Sequence, residues 1–312
     1  MRILSDDDVR DSFSMVEAIA VMKNVFRARA NGSLISPPRS GFDSGNVGLV
    51  WTPGGFPPAA VVGLRVYLTG LAASDQLVAA WDTQSGKLTA LAIGSHLGRL
   101  RTGAIGGVAI DSLARADAKT MGVIGFGQQA WYQVEAAIAV RPIQQVAVYR
   151  RDRKQLEASV TLAQQTWPVE VVMAPSPRDA VVGADIVVIA TGSASPVLDP
   201  AWLSPGTHIN SLGPKYHERS ELPPPHMAEC VQILASDFPE QYRSDPDFLW
   251  YDSPHMDRLH DLARLIGGSR RRDASAVTLF LSHGLSGTEV VVLLREVARH
   301  AQKLGRGHEV TL

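Results

Sequence analysis

Residues 120–130 read Thr-Met-Gly-Val-Ile-Gly-Phe-Gly-Gln-Gln-Ala. A short apolar run enters Gly125, Gly127 follows two positions later, and a helix-forming stretch, Ala130 to Val140, begins at once. A turn this tight needs a first glycine, and a second lets the backbone approach a pyrophosphate. The helix start then offers N–H donors, those of Gln128 and Gln129 among them, and a favourable dipole. Ala130 replaces the third glycine of the G-x-G-x-x-G pattern with another small residue. The stretch predicts strand, glycine turn and helix around a dinucleotide.

Downstream the same alternation continues. The spacing predicts a strand over Gln145–Tyr149, a helix over Arg153–Thr166 and a strand over Val169–Met173. A helix over Ser176–Val182 and a strand over Ile186–Ala190 follow. Later strands are expected at Thr207–Leu212, Val231–Ala235 and Ala276–Leu281, and a closing helix at Glu289–Leu304. Strand and helix in regular alternation mean a parallel, doubly wound sheet. The second of these strands should choose the cofactor. A carboxylate at its end suits the ribose hydroxyl of NAD, whereas a 2′-phosphate wants arginine. Here Tyr149 is followed by Arg150 and Arg151, and the first acid, Asp152, comes only after both. NADP(H) is therefore expected ahead of NAD(H).

Upstream the pattern differs. Ser5 followed by three aspartates reads as a capped helix start, with Val16, Ile19, Ala20, Met22 and Phe26 as its core-facing stripe. Ser33 to Thr52, rich in Pro, Gly, Ser and Asp, reads as loop and edge strand. Val61–Leu68, Gln76–Trp81 and Leu88–Ile93 read as strands, the last two joined by the turn Asp82–Gly86, which suggests an antiparallel sheet. Thr102 to Leu113 has helical spacing. The fold expected is α/β, a Rossmann-type doubly wound parallel sheet beside a smaller α+β domain.

Composition narrows the partners. The 312-residue chain is 45% hydrophobic and carries a net charge of −1, so no basic face is forced on it, and nucleic acid or an anionic membrane is a poor partner. Its one cysteine, Cys230, permits no internal disulfide and reads as a small packed hydrophobe. The N-terminus lacks the apolar core of a signal peptide, and no run is long enough to cross a bilayer. A cytoplasmic enzyme acting on a small molecule, without a metal site, fits these features. Arg270-Arg271-Arg272 reads as a solvated basic loop.

Several motifs, taken together, resemble the ornithine cyclodeaminase/μ-crystallin family. They are Leu100-Arg101-Thr102-Gly103-Ala104, Leu113-Ala114-Arg115-Ala116-Asp117 and Gly125-x-Gly127-x-Gln129-Ala130. Ala184-Asp185-Ile186-Val187 with Ala190-Thr191, Pro205-Gly206-Thr207-His208-Ile209-Asn210 and Ser282-His283-Gly284-Leu285 complete the set. The resemblance implies a homodimer. Residues 1–114 plus 289–312 would form the substrate and dimerisation domain, and 115–288 the Rossmann domain. It also implies imine reduction, amino-acid dehydrogenation or deaminating cyclisation beside a carboxylate. Arg39 and Arg101 match arginines that hold this carboxylate, a role for a planar, permanently charged fork. Cofactor contacts are implied for Thr102, Gly125, Gly127, Gln128, Gln129, Arg150, Arg151, Thr191, Ser282 and Gly284.

Two positions depart from the family pattern. A lysine is usual where Gly63-Leu64-Arg65 places Arg65, and an acid/base aspartate where Gly213-Pro214-Lys215 places Lys215. A slip in that loop would put His217 or Glu218 there instead. Arginine keeps its proton near neutral pH, so Arg65 can hold an anion or polarise a carbonyl or imine but cannot shuttle protons. A lysine desolvated near other cations has its pKa pushed down and can serve as general acid or base. The catalytic candidates are therefore Lys215 and Arg65, and Arg39, Arg65 and Arg101 the candidate substrate ligands. A pocket with these cations should favour an anionic imino/amino or keto acid. The competing expectations are a μ-crystallin-like NADP(H)-binding protein without turnover and, less favoured, ornithine cyclodeamination.

Overall fold

A computed structural model describes residues 1–71, 74–266 and 273–311. The Arg270-Arg271-Arg272 run lies outside the described residues. Backbone packing divides the chain into two compact units, one of Met1–Ala104 with Gly284–Leu312 and one of Ile105–His283.

The first unit is a seven-stranded sheet. Its strand order is His308–Glu309, Arg2–Leu4, Leu88–Ile93, Gln76–Asp82, Val61–Thr69, Val47–Phe56, Ser40–Ser44. Neighbours are antiparallel except Arg2–Leu4, which runs parallel to Leu88–Ile93. The helix Thr288–Lys303 packs across the central strands and buries Val290, Val291, Leu293, Leu294 and Val297.

Two local features differ from the expectation. The N-terminal region forms two helices, Asp6–Ser12 and Met15–Ala30, because Ser14 with Glu17 makes a second capping box after that of Ser5 with Asp8. The restart changes the helical phase. The buried face is Ala18, Ile19, Met22, Val25 and Phe26, while Ala20 is exposed and Val16 is 62% exposed. The Pro- and Gly-rich segment forms a hairpin, and its second strand, Val47–Phe56, pairs with Val61–Thr69 from Gly48 opposite Thr69 to Phe56 opposite Val61. Cross-strand pairing outweighs the weak strand propensity of Pro53, Gly54 and Gly55.

The second unit is an eight-stranded, wholly parallel sheet. Its order is Leu259–Asp261, Ile233–Ser236, Thr278–Leu281, His208–Ser211, Ile186–Ile189, Thr120–Ile124, Gln145–Tyr149, Glu170–Met173. Two apolar cores accompany it. One gathers Val123, Val146, Val148, Val134 and Leu156, the other Val187, Ile189, Ile209, Leu279 and Phe248. The first core also takes in Ile110 and Ala114 from the helix His96–Leu113 and the residue after it. That packing puts the division between units at 104/105, inside the helix, where the sequence suggested 114/115.

The chain order runs outward from Thr120–Ile124 to Glu170–Met173, then returns to Ile186–Ile189 on the other side. This reversal opens a crevice beyond the carboxyl ends of Ile124 and Ile189, where ligands bind in open α/β sheets.

Candidate functional site

A cleft of about 790 Å³ occupies that crevice. Gly125, Gly127, Arg150, Arg151 and Thr191 line it, as does Asp152. Gly125 has φ +88°, and a Cβ there would fall 2.5 Å from the carbonyl oxygen of Ala190, so no other residue fits the turn. Phe126 turns inward against Trp131 and Trp167. Gly127 leaves open space beside it, and the helix Gln128–Val140 begins with no side-chain cap. Its first amides, which no helix can satisfy internally, therefore have no capping side chain as acceptor, as an anion site at a helix start requires. Glycine cradle, uncapped 13-residue helix and open cleft fit a pyrophosphate.

At the far side of the cleft, Arg150 ties the glycine turn to the next helix. Its guanidinium donates to the Phe126 carbonyl at 3.2 Å and to Gln155 Oε1. Arg151 is exposed. The Asp152 carboxylate caps the helix Arg153–Thr166, accepting from the Gln155 amide at 3.0 Å. Two cations thus follow the strand end directly, while the acid behind them serves its own helix.

Lys215 and Ser282 meet elsewhere in this unit. Lys215 is 3% exposed, and its ammonium donates to the Gly213 carbonyl at 2.7 Å and to the Ser282 carbonyl at 3.5 Å. The Tyr242 hydroxyl donates to the same Ser282 oxygen at 3.2 Å. Burial lowers the Lys215 pKa to about 8, against the opposing pull of Glu221 and Asp237. The expected depressing cations are absent from these causes; burial alone lowers it. A hairpin pairs Lys215 with Ser220 and Tyr216 with Arg219, and leaves His217 and Glu218, the alternatives at this turn, exposed.

The first unit gathers the arginines. Arg65, 9% exposed, donates from Nε to Gln76 Oε1 at 3.0 Å and lies over the Tyr67 ring at 4.1 Å. Arg101 pairs with the fully buried Glu289 at 3.2 Å. Burial first, then Arg101 and more weakly Arg39, bring the Arg65 pKa down to about 10, with Tyr67 and Glu289 opposing. Arg65 therefore stays charged at neutral pH. Arg101 and Arg39 are both near enough to act on Arg65, and Glu289 counters them. Thr102 turns its hydroxyl back to the Gly98 carbonyl of its own helix, at 2.9 Å. Gly284 belongs to this unit, beside the Arg101–Glu289 pair, and not to the Rossmann unit where the sequence reading put it.

Some of the motif residues are structural. His208 bridges Thr278 Oγ1 and Asn210 Oδ1, both at 2.8 Å, and Asn210 donates to Gly106 O and Gln133 Oε1. All four side chains are fully buried. Asp185 accepts from the amides of Lys119 and Thr120, and pairs with Arg115. Cys230 is half-buried against the apolar core, and burial raises its thiol pKa. Glu221 was missed by the sequence reading. It sits in no recognised motif, and only its hydrogen bonds, described below, mark it.

Fold and cleft together define a nicotinamide-dinucleotide-dependent oxidoreductase. A family model described as "Ornithine cyclodeaminase/mu-crystallin family" matches residues 65–303, and the chain belongs to that family. It is 30% identical over 235 residues to a Δ1-pyrroline-2-carboxylate reductase of Bacillus cereus, covering 73% of this chain and 72% of that one. The Thermococcus litoralis Δ1-pyrroline-2-carboxylate reductase, solved with NADH and L-proline, superposes with a TM-score of 0.91 at 27% identity, over 99% of this chain and all of that one. An archaeal alanine dehydrogenase, described as a dimer with bound NAD, shares the fold, with a TM-score of 0.87 at 24% identity and coverage of 100% and 99%.

Proposed function

We propose that the chain is an NADP(H)-dependent reductase of small anionic imino acids, working also in the reverse sense on the amino acids. The arginine cluster of the first unit carries the reading. Arg65, Arg101 and Arg39 lie within electrostatic reach of one another, with Arg101 paired to Glu289, in a setting where Arg65 and Arg101 are each only 9% exposed. Buried charge is costly unless it is matched, so an anionic substrate is the natural complement. The names of the relatives place imine reduction beside a carboxylate within this family's chemistry.

In this reading Arg39 and Arg101 hold the substrate carboxylate and Arg65 takes a second anionic or polar group. A bound nicotinamide supplies the hydride. Lys215, as its ammonium, would give the proton that the imine nitrogen takes up when its carbon is reduced, so that hydride and proton together make the amine. The neutral amine of Lys215 is reprotonated from water. Gly125, Gly127 and the amides of Gln128 and Gln129 hold the pyrophosphate. Arg150 and Arg151 receive the 2′-phosphate, which makes NADP(H) the preferred cofactor. Thr191 contributes the cleft wall, and Thr102, Ser282 and Gly284 keep the cofactor roles that the family resemblance assigns them.

A homodimer is part of the proposal. It rests on an open apolar face of the first unit's sheet, where Trp51, Val66, Leu77 and Ile93 stand opposite one another across four strands. Turnover of NADPH with 2-oxo dicarboxylic acids, 2-oxo monocarboxylic acids and Δ1-pyrroline-2-carboxylate tests the reading, each keto acid with and without ammonia. Amine-dependent oxidation of NADPH, faster with the dicarboxylates, is expected. Tight NADPH binding with no turnover of any of these acids would overturn the substrate assignment.

A further inference from the structure

Four donors converge on one carboxylate. Glu221 is fully buried, and its Oε2 accepts from both the amide and the hydroxyl of Thr191, each at 3.0 Å. Its Oε1 accepts from the Ser211 hydroxyl and the Gly213 amide, each at 2.7 Å. Thr191 is a wall residue of the dinucleotide cleft, and Gly213 carries the carbonyl that receives the Lys215 ammonium. The turn is built tight against this brace. A Cβ at Gly213 would fall 2.1 Å from Glu221 Oε2 and 2.3 Å from the Thr191 carbonyl. A buried anion is costly to place, and a spacer alone would be made as well by an apolar side chain. We propose that Glu221 is the positioning residue for Lys215, bracing the turn that carries the lysine against the wall of the dinucleotide cleft.

The inference rests on the reading of Lys215 as proton donor, and it adds what holds that donor in place. The charge matters beyond the geometry. The groups that face the Lys215 ammonium are Glu221 and Asp237, with the Tyr242 hydroxyl sharing the Ser282 carbonyl. Asp237, also buried, accepts from the His283 amide at 2.8 Å. Both anions favour the ammonium form, so removing one should let the lysine lose its proton more readily. Glu221→Gln keeps the shape but turns an NH₂ toward two of the four donors, breaking half of the brace and its charge together.

The test compares Glu221→Gln, Glu221→Asp and Thr191→Val in the full-length protein. It reads kcat, KM, the pH profile of NADPH oxidation, and the titration of the Lys215 Nζ resonance. That resonance, one of six lysines, is assigned by its loss in Lys215→Met. Glu221→Gln should lower kcat about tenfold or more, with KM little changed, as expected when a general acid is misplaced. The Nζ titration should move to lower pH by about one pH unit. Glu221→Asp should restore the titration and only part of kcat, because charge returns but reach does not. Thr191→Val, which removes one donor and no charge, should lower kcat a few-fold and leave the titration in place, and it serves where the glutamine variant does not fold. The proposal is overturned by parent-like kcat and titration in Glu221→Gln, by an aspartate variant that titrates like the glutamine one, or by parent-like kcat in Thr191→Val. If Lys215→Met retains full turnover, the proton-donor role fails by itself. The Nζ shift in Glu221→Gln still reports on the brace.

Discussion

The Lys215 ammonium sits behind the carbonyls of Gly213 and Ser282, with its pKa at about 8. A general acid works only while protonated, so imine reduction should hold below pH 8 and fall as pH rises through that value. The reverse reaction needs the neutral amine and should gain over the same range. Lys215→Met should cost about 100-fold in turnover, the usual scale for losing a general acid, with NADPH affinity unchanged. Retained activity in this variant, with loss on changing His217 or Glu218, would transfer the role to that neighbour. The arginines at the strand end give a separate expectation. Arg150→Ala with Arg151→Ala should remove a several-fold preference for NADPH over NADH, read by nicotinamide fluorescence. Equal affinities in the parent protein would sink the cofactor assignment. Ornithine should release no proline if Lys215 stands, as proposed, where the family resemblance implies an aspartate that assists that reaction. Proline formed at a rate comparable with other turnover would refute this.

Among the elements, the strand starts at Thr120 and Ile186 are tied together by Asp185. Burial would raise its pKa, but the amides of Lys119 and Thr120, the Thr120 hydroxyl and Arg115 bring it below the ordinary 3.8. A carboxyl whose folded pKa is depressed stabilises the fold fully above its unfolded value. That contribution disappears as pH falls through the folded value. Asp185→Asn should therefore cost about 1–3 kcal/mol at neutral pH, and the difference from the parent should shrink in acid. Urea unfolding at pH 7 and pH 3 checks this; an equal difference at both would mean that the charge is not what stabilises. The parallel alternation from Thr120 to Ile189 was legible because each element there follows its own local pattern and the central strands Thr120–Ile124 and Ile186–Ile189 are buried in the sheet. The edge strand Ser40–Ser44 was legible in outline, but the inner strand Val47–Phe56 was not, since Pro53 and the glycines after it signal loop until a partner strand is known. Glu221 was invisible for a related reason. Its four donors come from residues 191, 211 and 213, and no spacing in the sequence announces that they converge.

The proposed dimer is tested through the way the first unit covers its sheet. One face, with Thr52, Arg65, Val78 and Ala92 in a row, is buried; the opposite face carries Trp51, Val66, Leu77 and Ile93 in the neighbouring row. Phe42, Leu49 and Leu68 continue that apolar face toward the edge strand. Trp51 is 37% exposed, Leu77 38% and Ile93 49%, a large apolar surface for a chain that stays monomeric. A twofold axis through such a face would set it against its own copy, so each side chain is buried twice in the pair. At about 2 kcal/mol for each large apolar side chain buried, replacing Trp51 and Leu77 touches four side chains per dimer. The loss is then several kcal/mol, about 1,000-fold or more in the dissociation constant. Trp51→Lys with Leu77→Glu should therefore run as a monomer at micromolar concentration in light scattering, where the parent runs as a dimer. Neither position is assigned to the cofactor cleft or the arginine cluster, so NADPH binding should survive the change. A parent protein of one-chain mass at every concentration, or a double variant that remains dimeric, would show that this face is not the interface.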